Sequence, residues 1–167
     1  AIAGIVFLEM QEAGYASVGE FHYIHHQPDG TPYDDLGELS ARIAAAAATT
    51  GIGLTHLPVL YTYGGAGKVP LEAGQARFGN SVDGFNDLVA RAEQVVASLP
   101  SDCRVGIAPH SLRATSPDDL AAVLQSYSSG PKHIHIAEQP KEVVDITAWL
   151  GARPVEWALE NMALNDR

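Results

Sequence analysis

The spacing of apolar and polar positions changes repeatedly along the chain, and each change marks an element. Residues 4–13 (GIVFLEMQEA) suit a helix, and Gly14 suits its stop. ASVGEFHY (16–23) reads as a strand, and HHQPDGTPYDD (25–35) reads as a loop by its Pro, Gly and Asp content. LGELSARIAAAAATTG (36–51) is a helix rich in Ala, the best helix former, closed by Gly51. IGLTHLPVLYTY (52–63) is continuously apolar, the pattern of a strand buried on both faces. A long Gly-rich loop (63–80) precedes an amphipathic helix (81–99) with Ser81 as N-cap. RVGIAPHSL (104–112) is a strand, and SPDDLAAVLQSYSS (116–129) opens with Ser, Pro and two acids, as helices do. KHIHIAEQ (132–139) is a strand, and residues 140–151 and 154–163 are two short helices.

The order is a helix, then four strands each followed by a helix, which implies a parallel sheet with helices outside it. An open doubly wound sheet and a closed (β/α)8 barrel compete. GGAGK (64–68) resembles part of a phosphate loop, but the GK[ST] ending and a helix directly behind it are missing, so a flexible or lid loop is expected. The strand ends favour the barrel. They carry Glu20, His22 and Tyr23; Tyr61 and Tyr63; His110 and Arg113; His135 and Glu138. Barrel active sites lie at the C-terminal ends of strands. A full barrel takes ~250 residues. The expected fold is therefore α/β, a partial (β/α)8 TIM-type barrel holding about strands two to five. Residues 1–167 are expected to be a fragment of its barrel domain. The first residue, Ala1, and the ending EWALENMALNDR read as a piece of a longer chain. A half barrel leaves open sheet edges and bare apolar faces, so the rest of the chain or a partner copy is expected to cover them.

Composition narrows the function classes. Of 167 residues, 46% are hydrophobic, enough for a real core. The formal net charge of -10 argues against nucleic acid, which needs clustered Lys and Arg. Cys103 is the sole cysteine, so an internal disulfide and a Cys-rich metal motif are both excluded, and a reducing, cytoplasmic setting is expected. No apolar run reaches the ~18 residues of a membrane span.

HIHIAEQ (133–139) carries the most chemistry. His133 and His135 share a face because strand side chains alternate. His135 lies nearer the strand's end and is the better metal ligand, while His133 is expected one layer deeper. A carboxylate three residues past His135 can take a proton from a water and pass it to a leaving amine, which is a role for Glu138.

GEFHYIHH (19–26), GIGLTHLPVLYTYGG (51–65), PHSLRATSPDDL (109–120) and HIHIAEQPKEV (133–143) together resemble the amidohydrolase superfamily, in its cytosine and adenosine deaminase branch. Within it they resemble enzymes that deiminate N-formimidoyl-L-glutamate in histidine degradation. The resemblance implies one divalent metal ion, normally zinc, with His135 as a ligand and Glu138 as the catalytic acid/base. It also implies that Tyr23, His110 and Arg113 hold a small anionic substrate. An arginine can grip a carboxylate with two parallel hydrogen bonds, and a chain at -10 needs such local positive charge. The intact enzyme is expected to be a homo-oligomer, a dimer, with no nucleic-acid or membrane partner. The superfamily's H-x-H pair and its later metal ligands have no counterpart here, so the piece alone is expected to bind zinc weakly and not to turn over.

Two alternatives stay open. One is a superfamily deaminase of a purine, a pyrimidine or another amidine; the other is a non-catalytic truncated piece. Arg113 could also be a loop arginine paired with Asp118 or Asp119. Among the remaining residues, His25 and His26 are expected to be solvated and His56 to be core. Cys103 is expected to be a buried or half-buried thiol and not a nucleophile, and Trp149 and Trp157 are expected to pack helix faces.

Overall fold

The computed structural model describes residues 2–163. Among these residues a small parallel sheet is accompanied by six helices: α1 (Ile2–Glu12), α2 (Glu38–Thr50), α3 (Val82–Val96), α4 (Pro117–Ser126), α5 (Pro140–Leu150) and α6 (Pro154–Asn161). The strands are β1 (Ser17–His22), β2 (Gly53–Leu60), β3 (Arg104–Val105) and β4 (Ala108–Pro109). The chain is thus mixed α/β with parallel strands, as the alternation of patterns predicts.

Local chemistry sets the boundaries. Gly51 takes a left-handed conformation at φ 76° and returns its N–H to the carbonyl of Ala47, which closes α2. The side chains of Ser81 and Ser116 accept from the N–H groups of Gly84 and Asp119, which opens α3 and α4. The loop 63–80 is more ordered than its glycines suggest. It holds a 3-10 turn at Ala73–Phe78 and a bridge between Gly65 and Val69.

β2 is the centre of the sheet. β1 lies along one edge, from Ser17 opposite Gly53 to His22 opposite Pro58. β3 and β4 lie along the other edge in one unbroken register, Thr55 opposite Arg104 and Val59 opposite Ala108. The expected single strand over 104–112 is thus two short pieces. The break falls opposite Pro58, which has no N–H to give the ladder.

The expected strand 132–139 is also not a regular strand. It is an extended segment tied at intervals, with Ile107 N–H to Pro131 O, His133 N–H to Ile107 O and His135 N–H to His110 O, at 2.9–3.0 Å. It makes one parallel bridge, Ile107 with Lys132. Gly106 explains the close approach, since a Cβ there would sit 2.4 Å from the carbonyl oxygen of Pro131.

Strand alternation sorts the core. Leu54, Leu60, Val105 and Ile107 face the helices and pack with Phe7, Ala47, Phe85, Val89 and Val123. Leu57, Val59 and Ala108, with half-buried Phe21, form the other face. A further cluster, Leu112, Leu120 and Ile146, joins α4 to α5, and Trp149 and Trp157 pack against it as expected.

Histidines fill the helix side of the sheet. His56 is fully buried, as expected, with Nε2 2.9 Å from Ser40 Oγ. The expectation for His25 and His26 is overturned, because both are buried. His25 Nε2 donates to Val59 O at 2.9 Å, taking up a β2 carbonyl just beyond the end of β1. His26 Nε2 donates to Gly79 O at 3.0 Å. Their Pro-Asp-Gly neighbours suggest solvent, but the two rings serve as hydrogen-bonding plugs under that loop. Burial is the main cause that pushes the imidazoles of His22 and His25 down to about 3 and that of His56 to about 4.

Among the described residues, no helix is long and apolar enough to cross a membrane.

Candidate active site

The C-terminal ends of the strands bring a group of rings together. Phe21, at the end of β1, stacks on His135 with centroids 4.1 Å apart and planes at 23°. Tyr61, just past β2, meets His110 edge-on at 4.7 Å. His110 and His135 are 5.7 Å apart, and Tyr23 reaches His110 at 6.4 Å. Three of the sequence-predicted residues, Tyr23, His110 and His135, therefore share one neighbourhood. Backbone bonds hold it: His110 donates its N–H to Leu60 O and accepts from His135 N–H, both at 3.0 Å.

His110 is mostly buried, and burial followed by the nearby Arg113 and His135 lowers its pKa to about 4. Glu138 pulls the other way without prevailing. His110 is therefore a neutral imidazole near pH 7, with Nδ1 2.9 Å from Ser111 Oγ. Tyr61 is pushed up, mainly by burial, so its hydroxyl keeps its proton, and it accepts from Gln75 Nε2 at 3.1 Å.

The other two predicted residues are joined to each other. Arg113 Nη2 donates to Glu138 Oε2 at 2.6 Å. The alternative partners for Arg113 are excluded by geometry: Asp118 lies 3.7 Å from Lys68, and Asp119 holds Ser116. His133 also departs from expectation. It is exposed rather than a layer deeper, because the histidine face of its segment is open, and its Nε2 lies 3.1 Å from His135 Nδ1.

Glu142 is a residue the sequence reading passed over. It is fully buried at the third position of α5. Its two carboxylate oxygens accept the N–H groups of Ala137 and Glu138, each at 2.9 Å. Oε2 also lies 3.5 Å from Arg113 Nε. Ala137 stands at φ 54°, a left-handed conformation costing a non-glycine residue about 1–3 kcal/mol. An acid just inside a helix start, four residues after Glu138, was the available signal. Phe21 was missed too, although alternation places it on the same face as Tyr23.

A cleft of about 640 Å³ opens beside these groups, lined by Tyr61, His110, Arg113, Lys141, Glu142 and Trp149 among others. Its walls mix aromatic rings with the nitrogen groups of His110, Arg113, Gln139 and Lys141 and two acids of α5, Glu142 and Asp145. Such a space can take a small polar molecule with an anionic end directed at Arg113.

Among the described residues, no three His, Cys, Asp or Glu side chains are arranged to hold one ion. His133 and His135 offer two imidazoles, too few for a zinc site of three or four protein ligands. These residues by themselves do not fit the ion, and other ligands would have to come from outside them.

No family model matches the chain. Formimidoylglutamate deiminase of Pseudomonas aeruginosa is 46% identical over 167 residues, which is 99% of this chain and 36% of that protein. The crystal structure of an amidohydrolase from Brucella melitensis superposes with a TM-score of 0.95 at 47% identity, covering 98% of this chain and 36% of that one. A triazine hydrolase from Arthobacter aurescens shares the fold at a TM-score of 0.73 and 18% identity, over 96% of this chain and 34% of that one. The chain thus spans about a third of the length of each relative. Over nearly all of its own residues the chain is similar to one segment of formimidoylglutamate deiminase and to one segment of the Brucella melitensis amidohydrolase.

Proposed function

We propose that this chain is part of a (β/α)8 barrel enzyme that hydrolyses N-formimidoyl-L-glutamate to N-formyl-L-glutamate and ammonia. The observation that carries the reading is the 46% identity to formimidoylglutamate deiminase over 99% of the chain. The geometry supports it. Helices cover one face of a parallel sheet, the other face carries Phe21, Leu57, Val59 and Ala108, and polar residues gather at the strand ends.

The roles follow from chemistry. Arg113 would present a planar fork of donors to a substrate carboxylate, His110 lines the same cleft with a neutral imidazole, and Tyr23 lies next to His110, its ring 6.4 Å away. Glu138 is the acid/base. It takes a proton from the attacking water as oxygen bonds to the formimino carbon, and gives it to the imino nitrogen; the remaining hydroxyl proton then passes by the same carboxylate to that nitrogen as the carbon–nitrogen bond breaks and the carbonyl forms. One water is consumed and one ammonia leaves. For Glu138 to do this, its carboxylate has to exchange Arg113 for the reacting water, and an incoming substrate carboxylate is a natural replacement on Arg113. His135 would be one ligand of a divalent ion whose other ligands lie outside the described residues, and such an ion would supply a water of lowered pKa.

Ammonia release from N-formimidoyl-L-glutamate by the full-length protein tests the reading. Activity that falls by about 10²–10⁴-fold in Glu138→Gln is expected for loss of a general acid/base. A folded, metal-loaded protein that releases no ammonia would overturn the substrate assignment.

A further inference from the structure

We propose that Glu142 is a positioning residue that sets where Glu138 and Arg113 stand; this rests on the function proposed above. Three observations converge on its carboxylate. It is fully buried, it accepts the consecutive N–H groups of Ala137 and Glu138 at 2.9 Å, and it lies 3.5 Å from Arg113 Nε. The two N–H groups belong to the turn in which Ala137 is held at φ 54°. A left-handed alanine persists only where its surroundings over-determine it. Here the determinant is one side chain, anchored by the first turn of α5 behind Pro140. The same carboxylate stands at Arg113 Nε, beside the Nη2 that bonds Glu138, so both acids meet one edge of the guanidinium. One buried anion therefore orients both the acid/base and the group meant for the substrate's carboxylate.

The test uses the full-length protein with N-formimidoyl-L-glutamate. Glu142→Gln keeps shape but can accept only one of the two N–H groups. The expected result is a kcat lower by about 10²-fold per folded molecule, since small misplacements of reacting groups cost that much. Adding Ala137→Gly, which makes the turn's conformation intrinsically easy, should recover part of the loss. A residue that served stability alone would lower the melting temperature, leave kcat per folded molecule unchanged and gain nothing from the glycine. An unchanged kcat in folded Glu142→Gln overturns the proposal. If that variant does not fold, Glu142→Asp replaces it with the same two readings, since aspartate is too short to reach both N–H groups. Amide hydrogen exchange at Ala137 and Glu138 reads the clamp without activity. Faster exchange in the variant is expected, and equal exchange overturns the clamp. Should the unmutated protein release no ammonia, the proposed function fails, while the exchange result still decides the role of Glu142 in the turn.

Discussion

Arg113 donates to Glu138 at 2.6 Å across 25 residues of sequence, so the proposed carboxylate receptor is occupied by the proposed acid/base. Arg113 is also 3.5 Å from buried Glu142. Both acids lie along the Nε and Nη2 edge of the guanidinium, which leaves the Nη1 side for a ligand. Replacing it with lysine keeps the charge but loses the fork. In the full-length protein, Arg113→Lys is expected to lower kcat/KM for N-formimidoyl-L-glutamate by about 10²-fold, chiefly through KM, as expected for loss of a charge-assisted hydrogen bond of about 1.5–3 kcal/mol. Steady-state kinetics check this, and an unchanged KM speaks against Arg113 as the receptor.

The buried histidines predict a steep loss of stability in mild acid. His22 and His25 titrate near 3 and His56 near 4 in the fold, all below the ordinary 6.5, because burial disfavours their charged forms. The unfolded chain therefore binds more protons than the folded one over that window. The stability they contribute is complete above pH 6.5 and is lost as pH falls from there to about 4 for His56 and about 3 for His22 and His25. Three such groups give a slope of at most about 4 kcal/mol per pH unit. Glu20, raised by burial, acts in the opposite sense only nearer its own range. Urea midpoints between pH 7 and 5 measure the effect, and a flat profile contradicts it.

His25 is expected to matter more than its loop position suggests. Its Nε2 satisfies Val59 O where β1 no longer reaches. His25→Ala leaves a cavity and an unpaired buried carbonyl, a loss of about 2–4 kcal/mol. The denaturation midpoint of the variant is the check. A change under half a kcal/mol would mean that the loop repacks freely.

Gly106→Ala tests how the HIHIAEQ segment is placed. The added Cβ would meet Pro131 O at 2.4 Å and Leu57 Cδ2 at 2.7 Å. Backbone has to move on one side, at a cost of about 1–3 kcal/mol. The expected result is a lower melting temperature together with faster hydrogen exchange at His133 and His135, whose N–H groups bond Ile107 and His110. Retention of both N–H protections would show that the segment is held from elsewhere.

Helix starts and stops were legible in the sequence because they depend on neighbours. Ser81, Ser116 and Gly51 act on groups three or four residues away, and the structure shows each doing so. The parallel order of strands was legible for a similar reason, since alternation of strand and helix leaves few topologies. So was the burial of His56, which sits within a continuous apolar run.

What the tertiary structure decided lies where distant segments meet. HIHIAEQ has a strand's composition, yet its pairing depends on Gly106 and on the carbonyls of Ile107 and His110, so it is extended without a full ladder. His25 and His26 have loop neighbours, and only the approach of Val59 and Gly79 makes them buried. The partners of Arg113 could not be read from Asp118 and Asp119 nearby, because Glu138 and Glu142 arrive from 25 residues or more away. The sequence by itself determined which side chains carry chemistry and which short segments are helical, because propensity and capping act locally. The fold decided who meets whom, because burial and pairing of polar groups are properties of the packed whole.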